Sequence, residues 1–220
     1  MKRIKHVLFA LTASSIALTV HAHEFTITLG GISSTLNSEQ NFVTSGQSAD
    51  EGAHSAGTHT SLGGEVAAAY IWNVNSGFDI GFEFYYDFVN DLKVEGSEKM
   101  INTINLMYGG RVLPGFKITS NTKIYIDLGY NLMDATLDIS SANNTHFSST
   151  EMDFTNEGSF QYGAGVETLI YKNLGLRLAY TVQQHGELKF DNDSTSSPEY
   201  YEARPTVYNF FFGLSYHFPF

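Results

Sequence analysis

The chain has 220 residues, no cysteine and a formal net charge of −11. Disulfides and thiolate metal sites are thereby excluded, and nucleic acid is a poor partner because phosphate repulsion would dominate. Mean hydropathy is slightly negative at −0.14, so no helical membrane span is expected beyond the amino terminus. Yet the chain carries 17 Phe and 13 Tyr, many at every second position, and alternating lipid-facing and interior residues average out in this way.

Met1 to Ala22 has a basic start (Lys2, Arg3, Lys5), an apolar stretch from Val7 to Val20, and Val20-His21-Ala22 before His23. This pattern predicts a secretory signal peptide over residues 1–22 and a mature chain from about residue 23. Its removal takes the formal charge from −11 to −14, since the segment holds three bases and no acid. Glu24 to Ser33 then alternates with Phe25, Ile27 and Leu29 on one face, the period-two signature of a strand. Residues 34–63, rich in Ser, Thr, Gly and Asn without periodicity, read as a surface loop.

Gly64 to Val74 predicts a second strand with Val66, Ala68, Tyr70 and Trp72 outward, closed by the Asn75-Ser76-Gly77 turn. The third, Phe78 to Phe88, alternates most cleanly, with Phe78, Ile80, Phe82, Phe84, Tyr86 and Phe88 facing one way and Asp79, Glu83 and Asp87 the other. A shorter loop is expected over 89–99. The fourth strand, from about Met100 to Arg111, is expected to face Ile104, Leu106 and Tyr108 outward, with Leu113-Pro114-Gly115 breaking it. Lys123 to about Leu137 forms the fifth, with Ile124, Ile126, Leu128, Tyr130 and Leu132 outward and Asp127 inward. After a loop over 139–158, strands from Ser159 to Ile170 and Leu174 to Gln183 flank the Tyr171-Lys172-Asn173 turn. Their outward faces are Tyr162, Ala164 and Val166, then Leu176, Leu178, Tyr180 and Val182. A loop over 184–205 leads to the closing strand, Tyr208 to Phe220, whose alternate residues are Phe210, Phe212, Leu214, Tyr216, Phe218 and Phe220.

Eight strands with alternating long and short connections predict an all-β fold, an eight-stranded antiparallel up-and-down transmembrane β-barrel. An even, closed set leaves no edge in hydrocarbon. No outward position carries a charge, whereas a soluble barrel would be oily inside and charged outside.

The ending Gly213, Tyr216, Phe218 and Phe220 resembles the C-terminal signal of bacterial outer-membrane barrels. Together with Gly163-Ala164-Gly165-Val166-Glu167 and Asn173-Leu174-Gly175-Leu176-Arg177-Leu178-Ala179-Tyr180, it makes the mature chain resemble the OmpA-like and opacity-type small outer-membrane barrels. The resemblance implies location in the bacterial outer membrane, with lipid and lipopolysaccharide around the barrel. It also implies the barrel-assembly machinery and periplasmic chaperones as folding partners, and an extracellular or host ligand met through the loops. The pattern ends with the barrel, so no peptidoglycan-binding domain is expected.

The predicted interior carries Glu65, Asp79, Glu83, Asp87, Arg111, Asp127, Glu167 and Arg177, with His217 near one mouth. Eight-stranded barrels are about wide enough for side chains to fill. The expectation is therefore a packed polar core in which the two arginines bridge several carboxylates; a gated ion path is the alternative. His54, His59, His146 and His185 fall in predicted loops, and His146-Phe147-Ser148 resembles the His-x-Ser pair of lipid A deacylases only by chance in a Ser-rich stretch. No catalytic residue, cofactor or metal is assigned. The expected role is structural and surface-interacting, non-enzymatic, with a narrow pore or a lipid A-modifying enzyme as alternatives.

Overall fold

A computed structural model describes residues 23–43, 53–90, 92–95, 101–138, 151–191 and 200–219. The predicted signal peptide, His146 and Phe220 lie outside them. The strands are β1 His23–Val43, β2 Ala53–Asn75, β3 Phe78–Val89, β4 Leu92–Glu95, β5 Ile101–Lys117, β6 Thr122–Asp138, β7 Glu151–Tyr171, β8 Leu174–His185, β9 Leu188–Asp191 and β10 Tyr200–Pro219. Antiparallel ladders run β1-β2-β3-β5-β6-β7-β8-β10, and β10 returns to β1, closing an eight-stranded ring. β4 continues beyond β3 on the edge of β5, and β9 beyond β8 on the edge of β10.

Register fixes the tilt. Following cross-strand partners from Thr35 through Tyr208, Val182, Tyr162, Leu128, Val112, Phe82 and Tyr70 returns to β1 at Phe25, ten residues lower. Strands in such a sheet lean about 35–45° from the barrel axis. The lower wall presents the expected apolar outer face: Leu29, Phe84, Phe88, Ile126, Leu128, Phe160 and Phe212 are all exposed, Phe160 by 74%. A side chain so apolar and so exposed fits hydrocarbon as its solvent.

The strands outrun that band. β1 has 21 residues and β2 23, whereas a tilted transmembrane strand needs about 9–11. The predicted loop over 34–63 is in large part a paired extension, from Ser34↔Ser61 to Phe42↔Ala53. The predicted loops over 89–99, 139–158 and 184–205 likewise contain β4, the start of β7, and β9 with the start of β10. Sequence periodicity missed these segments because their polarity is inverted: inward Leu36, Ala135, Leu137 and Val207 are buried, while outward Glu39, Asp153 and Arg204 meet water.

Among the described residues, β2 has no ladder to β4, and β7 has none to β9. Above Gly63↔Val89 and Ser159↔His185 the wall therefore divides into two sheets, β2-β1-β10-β9 and β4-β5-β6-β7. Between them lies an apolar core that includes Leu36, Leu92, Val94, Ile104, Met133, Leu137, Leu188 and Val207, with Met152 and Phe154 against it. The upper half is thus built like a β-sandwich on top of a membrane barrel.

Two bulges mark the transition. The β5–β6 register shifts between Ile104 and Leu106, and the β6–β7 register between Met133 and Ala135. Each extra residue flips the faces of its strand and increases its twist. Ile104, expected outward, is consequently inward and 1% exposed. On β7 the bulge places Asn156 at φ 60, a left-handed conformation that Asn tolerates. Its backbone N–H donates to Asp134 Oδ1 at 3.0 Å, and its side chain accepts from Tyr108 Oη.

The Leu113-Pro114-Gly115 break also needs correction, because β5 continues to Lys117. The ladder to β6 passes over Leu113 and Pro114 between Val112↔Leu128 and Gly115↔Tyr125, so the missing proline N–H is not called on there. The true turn is Ile118 to Asn121, where Thr119 Oγ1 accepts from the N–H groups of Asn121 and Thr122.

At the closing seam Gly30 opposes Gly213, and the Phe211 ring lies over both. A Cβ on Gly213 would stand 2.4 Å from Phe211 Cζ and 2.5 Å from the Leu29 carbonyl oxygen. Gly213→Val is expected to lose about 1–3 kcal/mol through overpacking, read as a lower urea midpoint for refolding into vesicles. An unchanged midpoint would show that the seam yields.

Candidate functional site: the barrel interior

Alternation places all eight predicted interior charges inside, each between 0% and 6% exposed. They form two clusters. In the central one, Arg111 on β5 reaches β2, β3 and β6. Its Nη2 donates to Glu65 Oε1 at 2.6 Å, its Nε to Glu83 Oε1 at 2.6 Å, and its Nη1 lies 3.4 Å from Asp127 Oδ2. Arg177 on β8 spans the barrel to the same glutamate: Nη1 donates to Glu83 Oε2 at 2.5 Å and Nη2 to Oε1 at 3.0 Å. Glu83 is therefore the shared acceptor of both guanidinium groups.

Aromatic rings hold the arginines in place. Arg111 lies 4.4 Å from the centre of the Tyr85 ring, and Arg177 lies 4.9 Å from Tyr125 and 5.8 Å from Phe211. Tyr125 Oη also accepts from Arg177 Nε at 2.6 Å. Planar guanidinium groups both stack and fork, so a lysine would not substitute at either position. Gln161 extends the network, accepting from Tyr85 Oη at 2.5 Å and donating to Asp127 Oδ1 at 2.8 Å.

The second cluster sits at the mouth with short turns and the strand termini, the periplasmic end of such barrels. Lys123 Nζ lies 3.1 Å from Glu167 Oε2 and 3.8 Å from Asp79 Oδ2. His217 lies between two carboxylates, with Nδ1 2.8 Å from Glu24 Oε2 and Nε2 2.8 Å from Glu167 Oε1. Carboxylates accept, so the ring donates from both nitrogens. Ser215 Oγ also donates to Glu167. The cluster ties β10 to β1, β6 and β7 where the ring closes.

Between the clusters, Thr28, Glu83, Lys123, Tyr125, Glu167 and Arg177 line a cavity of about 10 Å3, room for roughly one water. Of the predicted residues, Arg111, Arg177, Glu65, Glu83 and Asp127 meet directly, Asp79 and Glu167 meet through Lys123, and Asp87 on β3 meets Glu65, its register partner on β2. Sequence reasoning missed Lys123 and Glu24 as interior charges and Tyr85 and Tyr125 as ring supports. The first of these was legible, since Lys123 shares the parity of Asp127. His185, expected in a loop, ends β8 and is 9% exposed. Of the terminal residues, Tyr216 and Phe218 face outward with ring centres 4.7 Å apart.

Closed ladders, an apolar outer belt and an ionic interior are the plan of an outer-membrane barrel, and the sequence matches the model of the outer membrane protein beta-barrel domain over residues 7–218. The chain belongs to that family. It lies in the bacterial outer membrane. Similar solved structures include Ail of Yersinia pestis in complex with the heparin analogue sucrose octasulfate, 16% identical with TM-score 0.46, covering 89% of this chain and 99% of Ail. Neisserial surface protein A is 12% identical with TM-score 0.47, over 86% of this chain and 97% of its own. The outer membrane protease OmpT of Escherichia coli is 8% identical with TM-score 0.48, over 93% and 99%. A search of curated proteins finds no match.

Proposed function

We propose that this family member is a structural, surface-interaction protein without enzymatic activity, and that its binding surface is the pair of sheets above the membrane. The observation that carries this reading is a double seal. The arginine–carboxylate network fills the lower interior, and the apolar core of Leu36, Ile104, Met133, Leu137 and Val207 closes the upper. An ion crossing that core would shed its water against hydrocarbon side chains, at a cost of several kcal/mol or more. Outward Glu39, Asp134, Asp153 and Glu187 stand against Lys93, Lys189 and Arg204 on the upper surface, so a cationic peptide or protein surface is the complementary partner class.

The test has two arms. Refolded protein in planar bilayers is expected to stay silent over many insertions, while reproducible openings altered by Arg177→Ala would establish a pore and overturn the reading. Nanodiscs carrying the barrel are expected to retain a polylysine peptide better than empty discs, and to lose that advantage when Glu39, Asp153 and Glu187 are changed to lysine. Retention unaffected by those changes would remove the upper sheets as the binding surface.

A further inference from the structure

One stretch of the lipid-facing belt is hollow. Across β10, β8, β7 and β6 the outward residues Phe210, Tyr180, Ala164 and Ile126 stand in one register row. Leu178, Val166, Ile124 and Phe116 form the row beneath, on β8, β7, β6 and β5. Ala164 is the small member of the two rows, and it is exposed. The result is an apolar groove of about 600 Å3 on the outer wall, floored by Ala164 and walled by the larger side chains around it. Gly110 and Ala68, also small and outward, are covered instead. The Phe84 ring lies over Gly110, where an added Cβ would meet it at 3.4 Å, and Ala68 is half-buried.

Tilt gives the groove a direction. Register rows descend from β10 toward β5, as the ten-residue offset between Thr35 and Phe25 requires, so the groove runs obliquely from Phe210 down to Phe116. Its lower lip on β7 and β8 leads into the Tyr171-Lys172-Asn173 turn that joins those strands. Eight residues separate Ala164 from Lys172, about 20 Å along the barrel axis at ~3.3 Å per residue and a lean of ~40°. The hydrocarbon core is about 30 Å thick, so Ala164 lies near its middle when Lys172 reaches the periplasmic headgroups. Lys172 is exposed there, with Nζ 5.4 Å from the centre of the exposed Tyr171 ring.

A hollow inside a membrane is filled, because a void forfeits dispersion contacts with its walls. Flexible hydrocarbon chains are the material at hand, and charge selects the lipid. Among the described residues every exposed acid, Glu39, Glu151, Asp153 and Glu187, stands on the upper half. The phosphates of lipopolysaccharide would face that acidic rim. The lower rim instead sets the Lys172 ammonium under the groove, and an interfacial lysine beside a tyrosine suits an anionic headgroup.

We propose that the groove holds one anionic phospholipid of the periplasmic leaflet, with an acyl chain lying over Ala164 and the phosphate on Lys172. This lipid is a ligand with its own site, distinct from the exchanging lipids around the rest of the belt. The site is separate from the ionic interior and from the upper sheets, and does not depend on the surface-interaction reading.

Native mass spectrometry tests it, on the full chain refolded in neutral detergent and titrated separately with phosphatidylglycerol and phosphatidylcholine. One phosphatidylglycerol per barrel should survive the activation that strips the rest. Phosphatidylcholine should be retained about fivefold less, the effect of one lysine at an anionic headgroup. Ala164→Phe fills the groove and should lose the retained lipid. Ala68→Phe, which adds the same ring to the belt on β2, should keep it. Lys172→Asn removes the charge from a residue at φ 42, a conformation that Asn tolerates, and should erase the preference for phosphatidylglycerol. Heat-modifiable migration reports that each variant is folded, and Ala164→Leu replaces Ala164→Phe if the ring prevents folding. Retention by the filled variant equal to wild type would overturn the groove. Equal retention of the two lipids by wild type would overturn the anionic headgroup. A dimer that the filled variant dissolves would give the groove to a second copy of this chain and overturn the lipid.

Discussion

Glu83→Ala is expected to destabilise the barrel by roughly 3–5 kcal/mol, the range for removing one partner from a buried charge pair. The cause is what the substitution leaves behind. Arg177 loses its carboxylate and keeps Tyr125 Oη as an acceptor, while Arg111 retains Glu65 and Asp127. A guanidinium 3% exposed cannot recover its lost partner from bulk water. Glu65→Ala should cost less, because Arg111 keeps Glu83. The cost should also fall when the stranded cation is removed with its partner: Glu83→Ala with Arg177→Met is expected to be more stable than Glu83→Ala alone. Urea midpoints for refolding into vesicles measure all three. A Glu83→Ala midpoint within about 1 kcal/mol of wild type would mean that the interior is wet enough to solvate Arg177, and the closed reading of the lumen would fail with it.

The membrane half of this molecule was legible because one rule operates there without interruption. From Phe78 to Phe88 each residue either meets lipid or points inward, so parity alone assigns Glu83 and Asp87 to the interior. The same parity carries Arg111, Asp127, Glu167 and Arg177 to their places. Contacts between them were not legible. That Arg177 reaches Glu83 rather than Glu167, its direct register partner, depends on the tilt of the ring and on the aromatic groups that aim the side chain.

The upper half was misread for physical reasons. Its inward positions include Ser34, Ser38 and Gln40 beside Leu36, and its outward positions are Thr, Asn, Glu and Asp, so β1 shows little alternation there. Bulges at β5 and β7 then exchange the two faces within a single strand, which is why Ile104 was assigned to lipid. A period-two pattern that changes phase reads as the absence of a pattern. The one available signal was the inversion itself: Met133, Ala135 and Leu137 continue the parity of Asp127, so apolar residues take over the inward face of β6.

β6 therefore offers the sharpest test of the two-zone architecture, because one strand passes through both solvents. Ile126 points outward and is 48% exposed, while Leu137 points inward and is fully buried. Thr136 points outward between Asp134 and Asp138 and pairs with Asp153 across the ladder. Ile126→Lys places an ammonium in hydrocarbon and is expected to cost about 2–4 kcal/mol. Thr136→Lys, ten positions along on the same face, should stay within about 0.5 kcal/mol, since water and three carboxylates surround it. Leu137→Ala should cost about 2–5 kcal/mol by opening a cavity between the two sheets. Refolding midpoints in vesicles separate the outcomes. If Thr136→Lys is as damaging as Ile126→Lys, hydrocarbon reaches the upper strands and the sandwich is not standing in water. If Leu137→Ala is silent, the apolar seal is loose enough to admit solvent. The expected order, severe at 126 and 137 but absent at 136, requires an outer face that changes from lipid to water while the inner face changes from ionic to apolar.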